Sequence, residues 1–373
     1  MNNIDFNKYL EIHSPGYVIE TYKDGIVREF VIGNKQILPT IQKTTSNTLY
    51  DIASLTKVFT AVLVYMAYEE KLLDLYDYVY DLDCNFVNLK SVRVIDLLSH
   101  NQNIWTDGYL GNVETKEDFY KVLYSAYVKS DFPTYVDVHY IILATILENI
   151  YKISYRDLCI NKIFKPLHLD NTTFDPDPKN TASNNYEVTA SGDVITNITP
   201  GVIHDTKARN AKKLGITTGH AAIFTTASDF MKFIIGIFHY NLLKKETVNL
   251  MLQHRDCNLD NYNYLKTIVK EDDINVMYDE ALKLNSNLNL ITINNMGCRY
   301  RSVIKKINSI PDMFSDNSIT FSGYCGPIFM MDLDKDVIVV VMCNHMHNTH
   351  LDRAGRKAML YKFMDEVLAH LIN

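Results

Sequence analysis

The pattern of apolar residues predicts an α/β (α+β) fold. Its mainly antiparallel sheet is assembled from both ends of the chain and flanked by helices, and a mostly helical lobe is inserted between. Three observations carry this reading. The segment "GYVIETYKDGIVREFVIGNK" reads as two strands around an Asp24–Gly25 turn. The segment "SITFSGYCGPIFMMDLDKDVIVVVMCNH" supplies two or three more strands, divided by a turn over Asp332–Asp336. Between them, helical patches alternate with loops rich in Asn, Asp, Thr and Pro.

After the first hairpin comes a helix from about Ser54 to Leu73, with Val58, Val62, Met66 and Leu72 following a helical period. "VHYIILATILENI" is apolar enough to be a buried helix, and "SDFMKFIIGIFHYNLL" and "KETVNLMLQ" are two more. "RAGRKAMLYKFMDEVLAHLIN" reads as a terminal helix. The expected organisation is one bilobed domain over 1–373. Residues 1–70 and 230–373 form the sheet lobe and 71–229 the helical lobe, and the cleft between them is the default ligand site.

Composition narrows the class. The 373 residues are 47% hydrophobic and 22% charged, which suits a globular chain with a large core. A net charge of -7, with no long basic run, argues against nucleic acid or an anionic membrane as partner. Six scattered cysteines without a C-x-x-C pair suggest a reducing compartment. "MNNIDFNKYLEIHSPG" has neither a basic n-region nor an apolar h-region, so a signal peptide is not expected. No stretch approaches the roughly 20 apolar residues of a membrane span. The expected location is cytoplasmic, and the expected partner is a small-molecule or peptide-like substrate. The oligomeric state stays open.

Chemistry enters at "YDIASLTKVFTA". Ser54 and Lys57 stand one helical turn apart and share a face. A serine hydroxyl needs a neighbour to take its proton. A lysine can do so only when neutral, which costs about 4.6 kcal/mol at pH 7 unless its surroundings lower its pKa. Near a helix start the Ser54 N–H lacks an intrahelical partner and can serve a developing oxyanion. The plain alternative is a polar first turn. The same spacing recurs at Ser302 and Lys305, followed by Ser315-Asp316-Asn317. That stretch is polar, is interrupted by Pro311, and is too short to hold an inserted lobe, so it reads as a connection.

The surroundings of Ser54 are more specific. "TLYDIASLTKVFTAVLVYMAYEEKLLDLYDYVYDL" resembles the nucleophile helix of the serine β-lactamase and penicillin-binding-protein-like superfamily, nearest its class C β-lactamase and esterase branch. "VRVIDLLSHNQNI" is similar to the family's "LLTHTSGL". "YVDVHYIILATILENIYKISYRDLCINKIFKPLHLDNTTFDP" resembles its second-motif helix and tail. "GVIHDTKARNAKKLGITTGHAAIFTTASDFMKF" resembles its "VHD" and "GHAGLFSTA" stretch, and "FSGYCGPIFMMDLDKDVIVVVMCNHMH" its third-motif strand. The likeness covers most of the chain and is thin from about 240 to 315. It implies a β-lactamase-like fold with Ser54 as nucleophile, Lys57 and Tyr135 as proton carriers, and the N–H groups of Ser54 and Tyr324 as oxyanion donors. It implies no cofactor and no metal.

Two motifs depart from the family. Its Tyr-x-Asn is Tyr135-Val136-Asp137 here, and an ionised Asp137 cannot donate as the amide does. Its Lys-Thr-Gly or His-x-Gly is Phe321-Ser322-Gly323, without a cation. Phe321, Ser322, Gly323, Tyr324 and Asp137 are therefore the expected substrate-contacting set. The lost positive group and the gained negative one point to a neutral substrate, or to one with an ammonium near Asp137, such as a D-aminoacyl ester or amide. The expected function is a serine hydrolase. The alternatives are a β-lactamase or D,D-peptidase, and a non-catalytic ligand-binding member of the fold. His345, His347 and His350 have a metal-like spacing but read as a turn. His204, Asp205 and His220 read as loop organisers beside the cleft, and Trp105 as part of a cleft-edge loop, for packing more than for substrate contact.

Overall fold

The computed structural model describes residues 6–130, 134–184, 187–188, 194–195, 200–253, 294–300, 310–311, 313–347, 360 and 362–372. The first strands, β1 (Gly16–Lys23) and β2 (Ile26–Gln36), are joined at Asp24 and Gly25, whose φ angles of 53° and 78° are those a two-residue hairpin turn needs. β3 (Gln42–Lys43) continues from β2, and β4 (Tyr50–Asp51) is a short strand paired with β5 (Phe224–Thr225). The later strands are β6 (Arg299–Tyr300), β7 (Ser318–Ser322), β8 (Ile328–Asp332) and β9 (Val337–Cys343). The main sheet has seven strands in the order β6-β7-β8-β9-β1-β2-β3, with every described pairing antiparallel.

The two ends of the chain meet in the middle of this sheet, where Tyr17 faces Cys343 and Tyr22 faces Ile338. All 7 residues of β9 are buried, so it reads as a continuous apolar run and not as an alternating strand. Val18, Val340 and Met342 face the helical core. Tyr17, Ile19, Val339 and Val341 pack on Tyr9 and on Phe363, Met364 and Leu368 near the C-terminus. That segment is helical over Met364–Leu368 and Ala369–Ile372.

Helix α1 (Thr56–Glu69) follows a tight 3-10 turn at Ala53–Leu55. The sequence suggests one apolar stripe, yet every residue from Thr56 to Ala67 is buried. The helix runs through the core and packs on α2 (Val138–Tyr151), itself nearly all apolar. The polar Thr60 is accommodated because its hydroxyl bonds to Tyr155 Oη and the Gly219 carbonyl, both at 2.6 Å. Helices α3 (Thr206–Lys213), α4 (Ala227–Phe238) and α5 (Lys245–Leu252) follow, with α4 lying on β1 and β9.

Ser302 and Lys305 lie outside the described residues. Ser315 precedes β7 and binds Asp332 through both its N–H and its hydroxyl, at 2.7 Å each, which fits a connection. Trp105 is in a short strand, not a loop, with the Lys129 ammonium 3.5 Å from its ring centre. Among the described residues no helix is long and apolar enough to cross a membrane, and the cysteines are free thiols.

Candidate active site

The Ser54 turn is held from both sides. Asp51 is buried and accepts the Ala53 N–H on one oxygen and the His204 N–H on the other, each at 2.8 Å. Ala53 sits at φ 44°, a left-handed conformation that costs a non-glycine residue roughly 1–2 kcal/mol. Gly323, just past β7, closes the other side. A Cβ there would stand 2.3 Å from the Ile52 carbonyl oxygen, so only glycine lets the strand end approach this turn. Neither the Ser54 N–H nor the Tyr324 N–H has an acceptor among the described residues.

Lys57 is fully buried, and its ammonium meets three acceptors: Ser54 Oγ at 3.0 Å, Asp137 Oδ1 at 2.8 Å and the His220 carbonyl at 3.3 Å. The Tyr135 ring lies 4.9 Å from the same nitrogen. Burial disfavours the ammonium, but the charge and hydrogen bond of Asp137, with help from Tyr135, outweigh it and raise the pKa above the ordinary lysine range. For Asp137, burial likewise opposes the charged form. Lys57, His220 and Lys207 overcome it and hold the carboxyl well below the usual range.

The ion pair extends outward. Lys207 Nζ lies 3.0 Å from Asp137 Oδ2 and 3.2 Å from Asp205 Oδ2, and His220 Nε2 lies 2.9 Å from Asp205 Oδ1. Asp205 is also the N-cap of α3, accepting the Ala208 N–H at 2.8 Å. Ser54, Tyr135, Asp137, Asp205, His220 and Tyr324 line one pocket of about 240 Å³. Asp137, Asp205 and His220 bring ligand atoms within 4.8 Å of one another, a donor set suited to a cation, and the Lys207 ammonium already contacts both carboxylates. A hydroxyl beside an amine, two free N–H groups and a pocket open to both can support acyl transfer.

Comparison with known proteins fits this geometry. Residues 7–362 match the family described as Beta-lactamase. The chain belongs to the β-lactamase family. A relative from Salmonella heidelberg named "Putative D-alanyl-D-alanine carboxypeptidase" is 28% identical over 219 residues, and the match spans half of this chain and half of that protein. The fold is that of the simvastatin synthase LovD from Aspergillus terreus (TM-score 0.70, 15% identity, 98% of this chain and 93% of that one). It is shared with a class C β-lactamase from Rhodobacter sphaeroides (0.64, 16%, 99% and 98%). A third likeness is the octameric penicillin-binding protein homologue from Pyrococcus abyssi (0.65, 19%, 96% and 74%).

Within this β-lactamase-family cleft, the residues expected from sequence divide. Ser54, Lys57, Tyr135, Asp137, Gly323 and Tyr324 come together. Phe321 does not face the pocket: it is 3% exposed, in the core, with its ring 6.3 Å from that of Tyr135. Ser322 ends β7, half-buried and outside the pocket wall. His345 Nε2 binds the Tyr324 carbonyl at 2.7 Å, and His347 Nε2 accepts from Ile37 N–H at 2.8 Å, so both serve the backbone; His350 lies outside the described residues.

The sequence reading missed Lys207, the pairing of Asp205 with His220, and Asp51. It also missed a buried histidine pair, His100 and His139, with Nδ1 atoms 3.0 Å apart, behind the Tyr135 ring. Burial, then neighbouring charge, keeps both neutral, with His139 lowered to about 3. The acidic cap before α3 was the available signal for Asp205. Nothing local marks the others.

Proposed function

We propose that this chain is a serine hydrolase that forms an acyl-enzyme on Ser54, with an uncharged ester or amide, including D-aminoacyl derivatives, as substrate. The observation that carries the reading is the 3.0 Å contact of Ser54 Oγ with buried Lys57, beneath two unsatisfied N–H groups. In this reaction Ser54 Oγ attacks the carbonyl carbon. Its proton passes, with the help of Tyr135, to Lys57 once that lysine has given up its ammonium proton, and the N–H groups of Ser54 and Tyr324 receive the oxyanion. Tyr135 returns a proton to the leaving group, and water then releases the acyl group.

Charge favours the neutral substrate. Both Asp137 oxygens are engaged by lysines, so the carboxylate has little left with which to attract an ammonium. Lys207 adds a positive charge beside Asp137 that motif residues alone do not show. The name of the Salmonella relatives favours a D,D-peptidase as a second reading. The raised pKa of Lys57 favours a third, a binding protein whose lysine stays charged.

One experiment separates them. Intact protein is exposed to p-nitrophenyl esters, D-alanyl esters and amides, and β-lactams, and the mass shift is mapped to a residue. An ester adduct on Ser54 that turns over supports the hydrolase. Nitrocefin turnover supports a β-lactamase, release of terminal D-alanine a D,D-peptidase, and no adduct with any probe the binding protein.

A further inference from the structure

A 3-10 turn at His345–His347, just past β9, touches the backbone on both sides of the unsatisfied N–H groups. His345 Nε2 lies 2.7 Å from the Tyr324 carbonyl. A carbonyl oxygen can only accept, so Nε2 carries a proton and donates it. Met346 is fully buried and packs with Cys325 and Ala53, the sequence neighbours of Tyr324 and Ser54. His347 Nε2 accepts the N–H groups of Ile37 and Leu38, at 2.8 and 3.2 Å. Burial holds the His347 pKa down at about 4, so it stays a neutral acceptor. Asn344, which leads into the turn, is buried and donates to the Lys35 and Ser183 carbonyls at 2.9 and 2.8 Å. The turn is therefore mounted on the end of β2 and on Ser183, not on the loop it grips.

Tyr324 needs that grip. Its residue is 45% exposed, in the loop between β7 and β8. The loop is closed by the Gly323 N–H on the Pro327 carbonyl at 2.7 Å and by the Gly326 N–H on the Gly323 carbonyl at 3.1 Å. Neither bond engages a backbone group of Tyr324. If the peptide after Tyr324 rocks, the residue turns with it and its N–H loses its aim. An N–H stabilises developing charge only where its direction is set beforehand. We infer that His345 is a positioning residue for acylation. By holding the Tyr324 carbonyl it aims the Tyr324 N–H at the place where the oxyanion forms, and Met346 seats the same turn against Ala53, so the two donors keep a fixed separation. This inference rests on the acyl-enzyme reading of Ser54.

The test uses p-nitrophenyl acetate and its thiono counterpart, in which sulfur replaces the carbonyl oxygen. Sulfur accepts hydrogen bonds weakly, so the oxygen ester gains more from two aimed N–H groups. The p-nitrophenol burst gives the acylation rate at saturation and the concentration that half-saturates it. In His345→Met the acylation rate of the oxygen ester should fall about tenfold or more, as a displaced catalytic group costs, with little change in half-saturation. The thiono ester should lose less, so the preference for oxygen shrinks. His345→Gln, whose amide nitrogen reaches about as far as Nε2, should keep most of the rate and of the preference. His345→Asn, whose amide stops short of the carbonyl, should behave as the methionine variant does and replaces it if that variant does not fold.

An unchanged acylation rate, an equal fall for both esters, a weaker half-saturation alone, or a glutamine variant no better than methionine overturns the role of His345 and leaves the hydrolase intact. Failure of either ester to acylate Ser54 in the unaltered chain fails the hydrolase reading instead.

Discussion

Lys57 and Glu20 are both buried ionisable groups, one in the cleft and one in the sheet, and the fold treats them differently. Lys57 has a carboxylate at 2.8 Å and an acceptor for each hydrogen, so its charge is kept in spite of burial. Glu20 on β1 is 3% exposed and opposite Glu29 on β2, under Lys232 and Asp229 of α4. Burial first, then the Glu29 charge, raises its pKa to about 7, with Lys232 opposing. Lys232 is already engaged with Asp229, 3.2 Å away. Burial alone thus does not decide the state of a group. The number of partners within hydrogen-bond reach does, and the cleft supplies them where the sheet does not.

The comparison breaks most visibly when a cleft partner is removed. Lys57→Met should lower kcat/KM by about 10³-fold or more, as loss of a proton carrier does, and should destabilise by about 3 kcal/mol because Asp137 is left with one partner. Ser54→Ala should abolish the acyl-enzyme while changing stability by only about 1 kcal/mol. Ester kinetics with denaturant melts checks both. Similar stability for the two variants would mean that the Lys57–Asp137 pair contributes little.

Glu20→Gln sharpens the other side. The folded-state pKa of about 7 lies above the ordinary 4.5, so folding disfavours the carboxylate. The penalty is absent below pH 4.5, grows as pH rises to about 7, and is constant above. The variant should therefore be more stable than the parent by about 2–3 kcal/mol at pH 8, and by little at pH 4. Urea melts at the two values decide it, and a gain that does not depend on pH would assign the effect to packing.

Asp137→Asn tests whether the compensation in the cleft has a catalytic cost. Removing the carboxylate removes what raises the Lys57 pKa, so the acidic limb of the kcat/KM profile should move to lower pH, with a severalfold gain near neutrality. An unmoved limb would exclude Lys57 as the titrating base. The smallest effect concerns backbone strain between the two regions. Ala222 has φ 111°, a conformation that favours glycine, just before β5. Ala222→Gly should stabilise by about 1 kcal/mol, read as a small rise in Tm.

What could be read from the chain alone follows the range of the forces involved. The Asp24–Gly25 turn, the apolar run of β9 and the one-turn spacing of Ser54 and Lys57 are local patterns, and each is present as expected. The expectation for Phe321 fails because its place in the motif was read as a place in the cleft, whereas its side chain faces the core. Lys207 reaches Asp137, and Asp51 reaches His204, across long stretches of chain, and no periodicity records such meetings. The charge at the site is hidden from the motifs for the same reason, because Lys207 comes from another segment to meet Asp137.

The pairing of β1 with β9 has a consequence for how the chain is made. Tyr17 and Cys343 are neighbours in the sheet although about 300 residues separate them, and β9 is flanked by β1 on one side and β8 on the other. On the ribosome, the β1–β2 hairpin is made about 300 residues before β9 and waits with one edge unpaired until β9 follows. A contact of such long sequence separation forms late and slowly. During that interval the free edge of β1, carrying Tyr17, Val18 and Ile19, is the part of the nascent chain most open to pairing with the wrong strand.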